Sequence, residues 1–203
     1  MIFISLGSNC TPAIIRKNIF DLSKDKGYLT CPFDLCETPY KSLLEIIENN
    51  FNNFFDNLEC IIENNEKIIT NYYNIKFNHE SPINSKQLNY ESDFYIKNNF
   101  KELILRYKKR IKNFYNYINN NNKIIFVTNN YNENLNEILN IFEKKYPTKN
   151  FYIFCFKEYS SNEINFFCKL GYLKIYFRRI IKMVKRKEKK IYHFSILDIK
   201  NNI

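Results

Sequence analysis

Apolar residues along this chain switch between short unbroken runs and helical spacings, and the switching predicts its elements. Residues 2–6, Ile-Phe-Ile-Ser-Leu, are too few for a helix and end at Gly7, which predicts a buried strand. Thr11-Pro12 reads as an N-cap followed by proline at the first helical position, with Ala13, Ile14, Ile15 and Ile19 supplying an apolar face. A second helix start is written in Thr38-Pro39, followed by Leu43, Leu44, Ile46 and Ile47 and closed by Asn49-Asn50. Phe51, Phe54 and Phe55 are expected to continue into a further helical turn, and residues 67–70 and 73–77 are strand candidates.

Residues 81–95 are polar, contain Pro82 and show no period, which predicts a long excursion beside the sheet. Ile104, Tyr107, Ile111, Phe114 and Ile118 step by three or four, the best amphipathic helix in the chain, expected over 100–118. Residues 123–128 predict a buried strand. An Asn-rich turn follows, then a helix bearing Leu135, Ile138, Leu139 and Phe142 and ended by Pro147, then a strand over 151–156. The recurring order of strand, helix and strand favours a mainly parallel central sheet covered on both faces, a single three-layer α/β domain. Further on, a helix is expected over 164–170, a basic helix over 173–190 and an edge strand over 191–197. Residues 1–170 are taken as the α/β core, with the basic helix and edge strand of 171–203 packed on the same domain.

Composition changes this picture little. At 203 residues one compact domain suffices, and with no Trp the core must rely on Phe, Tyr, Ile and Leu. Asn runs such as 119–122 read as solvated loops and helix ends. Six cysteines are sparse for a disulfide scaffold of this size, so reduced thiols are expected. The first residues lack the basic region of a signal peptide, and no later apolar stretch approaches the roughly 20 residues that cross a bilayer. A cytoplasmic location is expected.

The net charge of +10 raises the question of an acidic partner. Much of the excess lies in residues 106–112 and 174–190, and both stretches carry apolar residues at helical spacing. A core helix with a solvated basic face accounts for each, and binding of an acidic partner through the basic C-terminal region is the alternative.

Candidate chemistry starts at Gly7-Ser8-Asn9-Cys10, between a buried strand and a helix start, where open α/β sheets place ligands. Unpaired amides and the positive helix end favour an anion there, so Cys10 is expected to have a lowered pKa and to be a nucleophile. The Cys10 amide and the Asn9 side chain could meet charge on a carbonyl oxygen, and Ser8 belongs to the same anion-binding loop. A thiol nucleophile needs a base, and the chain has only His79 and His193. His79, where the polar excursion begins, is the better candidate, and His193 falls in the expected terminal strand. Asp34, Glu80 and Asn78 are candidates to orient the imidazole, with Asp34 and Glu80 ranked together; Asp34 could equally serve as a turn residue. Cys31 and Cys36 could ligate a metal with Cys10 or His79, but their four-residue separation and the absence of a second close pair speak against zinc, so no metal or cofactor is expected. With three glycines, no glycine-rich phosphate loop is present.

Four blocks carry a resemblance: residues 4–10, then Cys31-Pro32-Phe33-Asp34, then Phe77-Asn78-His79-Glu80, then Tyr107-Lys108-Lys109-Arg110-Ile111. Together they resemble the "putative papain-like cysteine peptidases" of bacteria and large DNA viruses, over residues 1–156. The resemblance implies Cys10 as nucleophile, His79 as base, and a peptide or protein substrate. It also implies an α+β fold as the alternative to the α/β reading, which the periodicity favours. Leu35 stands where the family pattern has an aromatic residue, a difference at the pocket wall. The AT-rich bias in residue usage would suit a viral genome and hence a host cytoplasm. The expected activity is cysteine-dependent hydrolysis of a peptide, isopeptide or ester. Its rivals are a non-catalytic or sugar-nucleotide-handling α/β module that binds an anion at the Gly7–Cys10 loop, and a basic nucleic-acid-binding protein.

Overall fold

Two sets of apolar side chains, alternating along the same strands, build this molecule around a parallel sheet. The computed structural model describes residues 1–130, 132–157, 182 and 190–194. Its strands are β1 (Ile2–Ser5), β2 (Glu59–Glu63), β3 (Glu66–Thr70), β4 (Lys123–Thr128), β5 (Asn150–Phe156) and β6 (Ile191–Phe194). Its helices are α1 (Thr11–Phe20), α2 (Tyr40–Glu48), α3 (Lys97–Asn120) and α4 (Asn136–Lys145). The main sheet runs in the order β1-β4-β5-β6 with every neighbouring pair parallel. This is the α/β architecture that the alternating pattern predicts, and not the α+β alternative.

Ile2 and Ile4 stand in register with Ile124 and Phe126, and these with Phe151 and Ile153, so all six lie on one face of the sheet. That face meets Phe142 of α4, whose ring centroid lies 4.4 Å from that of Phe126, and Phe142 in turn meets Phe114 of α3. α2 packs on α4 behind them. The opposite face presents Phe3 and Phe154 to Phe20 of α1. Helices thus cover both faces, which is why these strands carry continuous apolar runs.

Along α3, Leu103, Tyr107, Arg110, Phe114 and Ile118 are buried at helical spacing. Asn98, Asn99 and Phe100 have left-handed backbone, so the regular helix begins after them, close to its predicted start.

Two local expectations fail for identifiable reasons, and one strand was missed. After α2, Asn50, Phe51, Asn53 and Asn57 adopt positive φ, so the Phe51 segment is a chain of turns and not a helical continuation. Residues 73–77 make one antiparallel bridge, Glu37 to Lys76, because the amides of Tyr73 and Ile75 donate to the Asn71 carboxamide instead of a neighbouring strand. β2 was not foreseen; it pairs with β3 in an antiparallel hairpin whose two-residue turn, Asn64-Asn65, has positive φ at both positions. The expected helix over 164–170, that over 173–190 except residues 182 and 190, and the end of the edge strand beyond Phe194 lie outside the described residues.

Candidate active site

The loop after β1 is shaped by what surrounds Gly7. A Cβ at this position would come within 2.3 Å of Pro12 Cγ and 2.8 Å of the Asn9 carbonyl oxygen, so only glycine lets the chain fold back onto the start of α1. The Ser8 amide and hydroxyl both donate to Asn129 Oδ1, at 2.9 and 3.2 Å. Asn129 Nδ2 donates to Asn9 Oδ1 at 3.0 Å, and the same oxygen accepts the Thr11 amide at 2.9 Å. The helix therefore starts at Thr11 with Cys10, rather than Thr11, at the cap position, and the Asn9 carboxamide receives the first helical amide.

Of the expected anion-binding groups, Ser8 is thus committed to Asn129, and the Asn9 oxygen is occupied by two donors. The Cys10 amide has no acceptor among the described residues. Asn129, just past β4 at the carboxyl edge of the sheet, escaped the sequence reading. Its signal was a polar residue directly following a buried parallel strand.

His79 arrives from a separate direction. Past β3 the Phe77 amide donates to Ile69 O at 2.9 Å, and Asn78–Glu80 form a 3-10 turn. Ser81 Oγ lies 2.8 Å from both the Ile69 amide and the Phe77 carbonyl, and the Tyr90 hydroxyl lies 2.9 Å from His79 O. Glu80 ties the turn to α3: its Oε1 is 2.9 Å from Arg106 Nε and 3.0 Å from Arg110 Nη2, and the Tyr107 hydroxyl donates to Oε2 at 3.3 Å. The outcome is a distance of 3.4 Å between Cys10 Sγ and His79 Nε2.

The electrostatics differ from the sequence expectation. Burial, followed by the carboxylates of Glu80, Asp34 and Glu37, pushes the Cys10 thiol up to about 11, with Arg110 opposing. A helix N-terminus favours an anion by roughly 0.3–1 kcal/mol, whereas a rise from 9.0 to about 11 represents roughly 3 kcal/mol, so burial wins. Burial also lowers the His79 pKa below its ordinary value, against the nearby Glu80 charge. At neutral pH the two groups are an uncharged thiol and an uncharged imidazole, with the S–H placed to donate to Nε2.

Asp34 closes the buried Pro32–Asp34 turn. Its Oδ2 accepts the Cys31 amide at 2.8 Å and lies 3.7 Å from Arg16 Nη2, while its Oδ1 has no hydrogen-bond partner. Burial raises its pKa, with Arg16 as the main opposing influence. Neither Asp34 nor Glu80 is hydrogen-bonded to the imidazole, and Asn78 Nδ2 donates to Glu37 instead. Among the described residues nothing accepts from His79 Nδ1. His193 is exposed on β6, in register with Cys155. Cys31 and Cys36 are buried, and Cys36 Sγ meets Pro32 O and Thr38 Oγ1, each at 3.3 Å. Among the described residues no group of three or more His, Cys, Asp or Glu side chains is arranged to hold a metal ion.

Cys10 and His79 open onto a cavity of about 440 Å³ whose wall also includes Asp34, Leu35, Arg16 and Lys24. Leu35 makes this part of the wall aliphatic.

The fold thus sets a helix-capping thiol against an imidazole at the edge of an open cavity. The model of the family described as "Putative papain-like cysteine peptidase (DUF1796)" matches residues 1–154, and this chain belongs to that family. The match takes in β1, the Cys10 loop, His79, α3 and most of β5. No curated protein and no solved structure matches the chain. Among the described residues no helix is long and apolar enough to cross a membrane.

Proposed function

We propose that this protein is a cysteine hydrolase of peptide or related acyl bonds, with Cys10 as nucleophile and His79 as general base. The observation that carries the reading is the 3.4 Å approach of Sγ to Nε2 at the edge of an open cavity. Because the resting pair is uncharged, the proton moves during attack: Nε2 takes it from the thiol as sulfur bonds to the substrate carbonyl carbon. The oxyanion so formed meets the Cys10 amide and the positive end of α1. The imidazolium then returns its proton to the leaving amine or alcohol as the acyl bond breaks, leaving a thioester on Cys10. Water, deprotonated by the neutral imidazole, hydrolyses the thioester and restores the thiol.

In this reading Asp34 and Glu80 act as positioning residues. Asp34 fixes the Cys31 turn beneath the cavity, and Glu80 holds the His79 turn against α3. The test is turnover of a fluorogenic peptide library by wild type, Cys10→Ala and His79→Ala. Cys10→Ala should lose activity by about 10³-fold or more, and His79→Ala by roughly 10²–10⁴. Activity retained by Cys10→Ala would refute the assignment.

The raised Cys10 pKa favours one second reading, a non-catalytic or sugar-nucleotide-handling α/β module with an ordinary thiol. It predicts that no peptide or ester is turned over, while phosphate or a sugar nucleotide protects Cys10 from alkylation.

A further inference from the structure

A second cavity, of about 360 Å³, lies beside the first and shares Lys24 and Thr30 with it. Its other charged wall residues are Arg106, Lys109 and Arg110, all on α3, and no carboxylate lines it. Glu80 sits behind this wall and offsets only part of the charge, because its single carboxylate is shared between Arg106 and Arg110. Arg110 is 4% exposed, yet its Nη1 has no hydrogen-bond partner. Buried polar groups are nearly always satisfied, so an unpartnered guanidinium nitrogen of a residue in the wall of a basic cavity marks a place where an acceptor belongs. A guanidinium presents paired N–H groups that match the oxygens of a carboxylate or phosphate.

We infer that this cavity is a specificity subsite for an anionic substrate side chain, a carboxylate or a phosphate, held while the scissile carbonyl lies against Cys10. The inference rests on the proposed hydrolase reading and names its substrate class: peptides with an acidic or phosphorylated residue near the cleaved bond. Lys24, common to both cavities, is the link between the anion and the reacting carbonyl. The four cations make the site selective by charge, while the depth of Arg110 restricts it to a group that can shed its water.

The test uses one peptide sequence in four versions, with Glu, phosphoserine, Gln or Lys at the residue adjoining a vinyl sulfone that captures Cys10. Unreactive versions of the same peptides are titrated against Cys10→Ala in parallel. The Glu or phosphoserine probe should label Cys10 about tenfold faster than Gln, and Lys more slowly still, with the same order in binding. The faster of the two acidic probes identifies the anion. Lys24→Glu combined with Lys109→Glu should erase the preference by about tenfold without disturbing the buried Arg110, whereas Lys67→Glu on the distant hairpin should preserve it. Equal labelling and equal binding by Glu, Gln and Lys peptides would overturn the subsite and leave the hydrolase reading standing. Absence of Cys10 labelling, with acidic peptides still preferred in the binding titration, would overturn the hydrolase reading and retain the subsite.

Discussion

At the scale of single residues, the site depends on how little room Gly7 leaves. Gly7→Ala would drive a methyl group into Pro12 and the Asn9 carbonyl, so the loop must shift and carry Cys10 with it. Loss of peptide turnover by at least tenfold, with a fall in melting temperature, is the expected outcome; unchanged kinetics would mean that the loop tolerates the displacement. Asn129→Ala removes the shared partner of Ser8 and Asn9, and should cost roughly 1–3 kcal/mol in unfolding free energy, measured by urea titration. The nucleophile candidate itself was legible from Gly7-Ser8-Asn9-Cys10, because a buried strand followed by a helix start can be read from local order. Its proton affinity was not, because the charges of Glu80, Asp34 and Glu37 act on the sulfur from two other segments and burial depends on the whole fold.

At the scale of elements, the contact that matters most is between the His79 turn and α3. The sequence shows Arg106 to Lys112 as a basic helical face, and Lys108, Lys109 and Lys112 are indeed exposed. Arg106 and Arg110 instead reach Glu80, a pairing that no local pattern reveals because 26 residues or more separate the partners. Glu80→Gln would leave Arg110 buried without its counterion, with an expected cost of roughly 3–5 kcal/mol. Its kcat should fall more than its KM changes, because the displaced group is the one that moves the proton; an unchanged kcat would separate the turn from the chemistry. The hairpin illustrates the opposite limit of sequence reading. Glu59-Cys60-Ile61-Ile62-Glu63 has no fully buried face, and Ile62 is 72% exposed, so no alternation marked it as a strand. The Asn64-Asn65 turn was the available signal.

At the scale of the whole molecule, the parallel sheet was legible because its apolar runs are continuous and separated by helical spacings, as burial on both faces requires. Phe142 sits where α4, α3 and two strands meet, and Phe142→Ala should cost roughly 3–5 kcal/mol in calorimetry or urea titration. The buried thiols add a pH dependence. Cys10 is pushed up to about 11, and Cys36 and Cys155 to about 12, mainly by burial. Each binds its proton more tightly folded than unfolded, so their contribution is complete below about pH 9 and is lost as pH rises toward 11 to 12. Melting temperature should fall across that window, and a flat profile would contradict the burial of these groups.

The most direct test of the Cys10–His79 pair is the rate at which a peptidyl electrophile modifies Cys10 between pH 5 and about 11, followed by mass spectrometry in wild type and His79→Ala. The wild-type rate should rise below pH 6.5 as the imidazole loses its proton, hold a plateau, and rise again as the thiol ionises toward about 11. His79→Ala should keep only the alkaline rise. Identical profiles for the two proteins would contradict a proton transfer from Cys10 to His79.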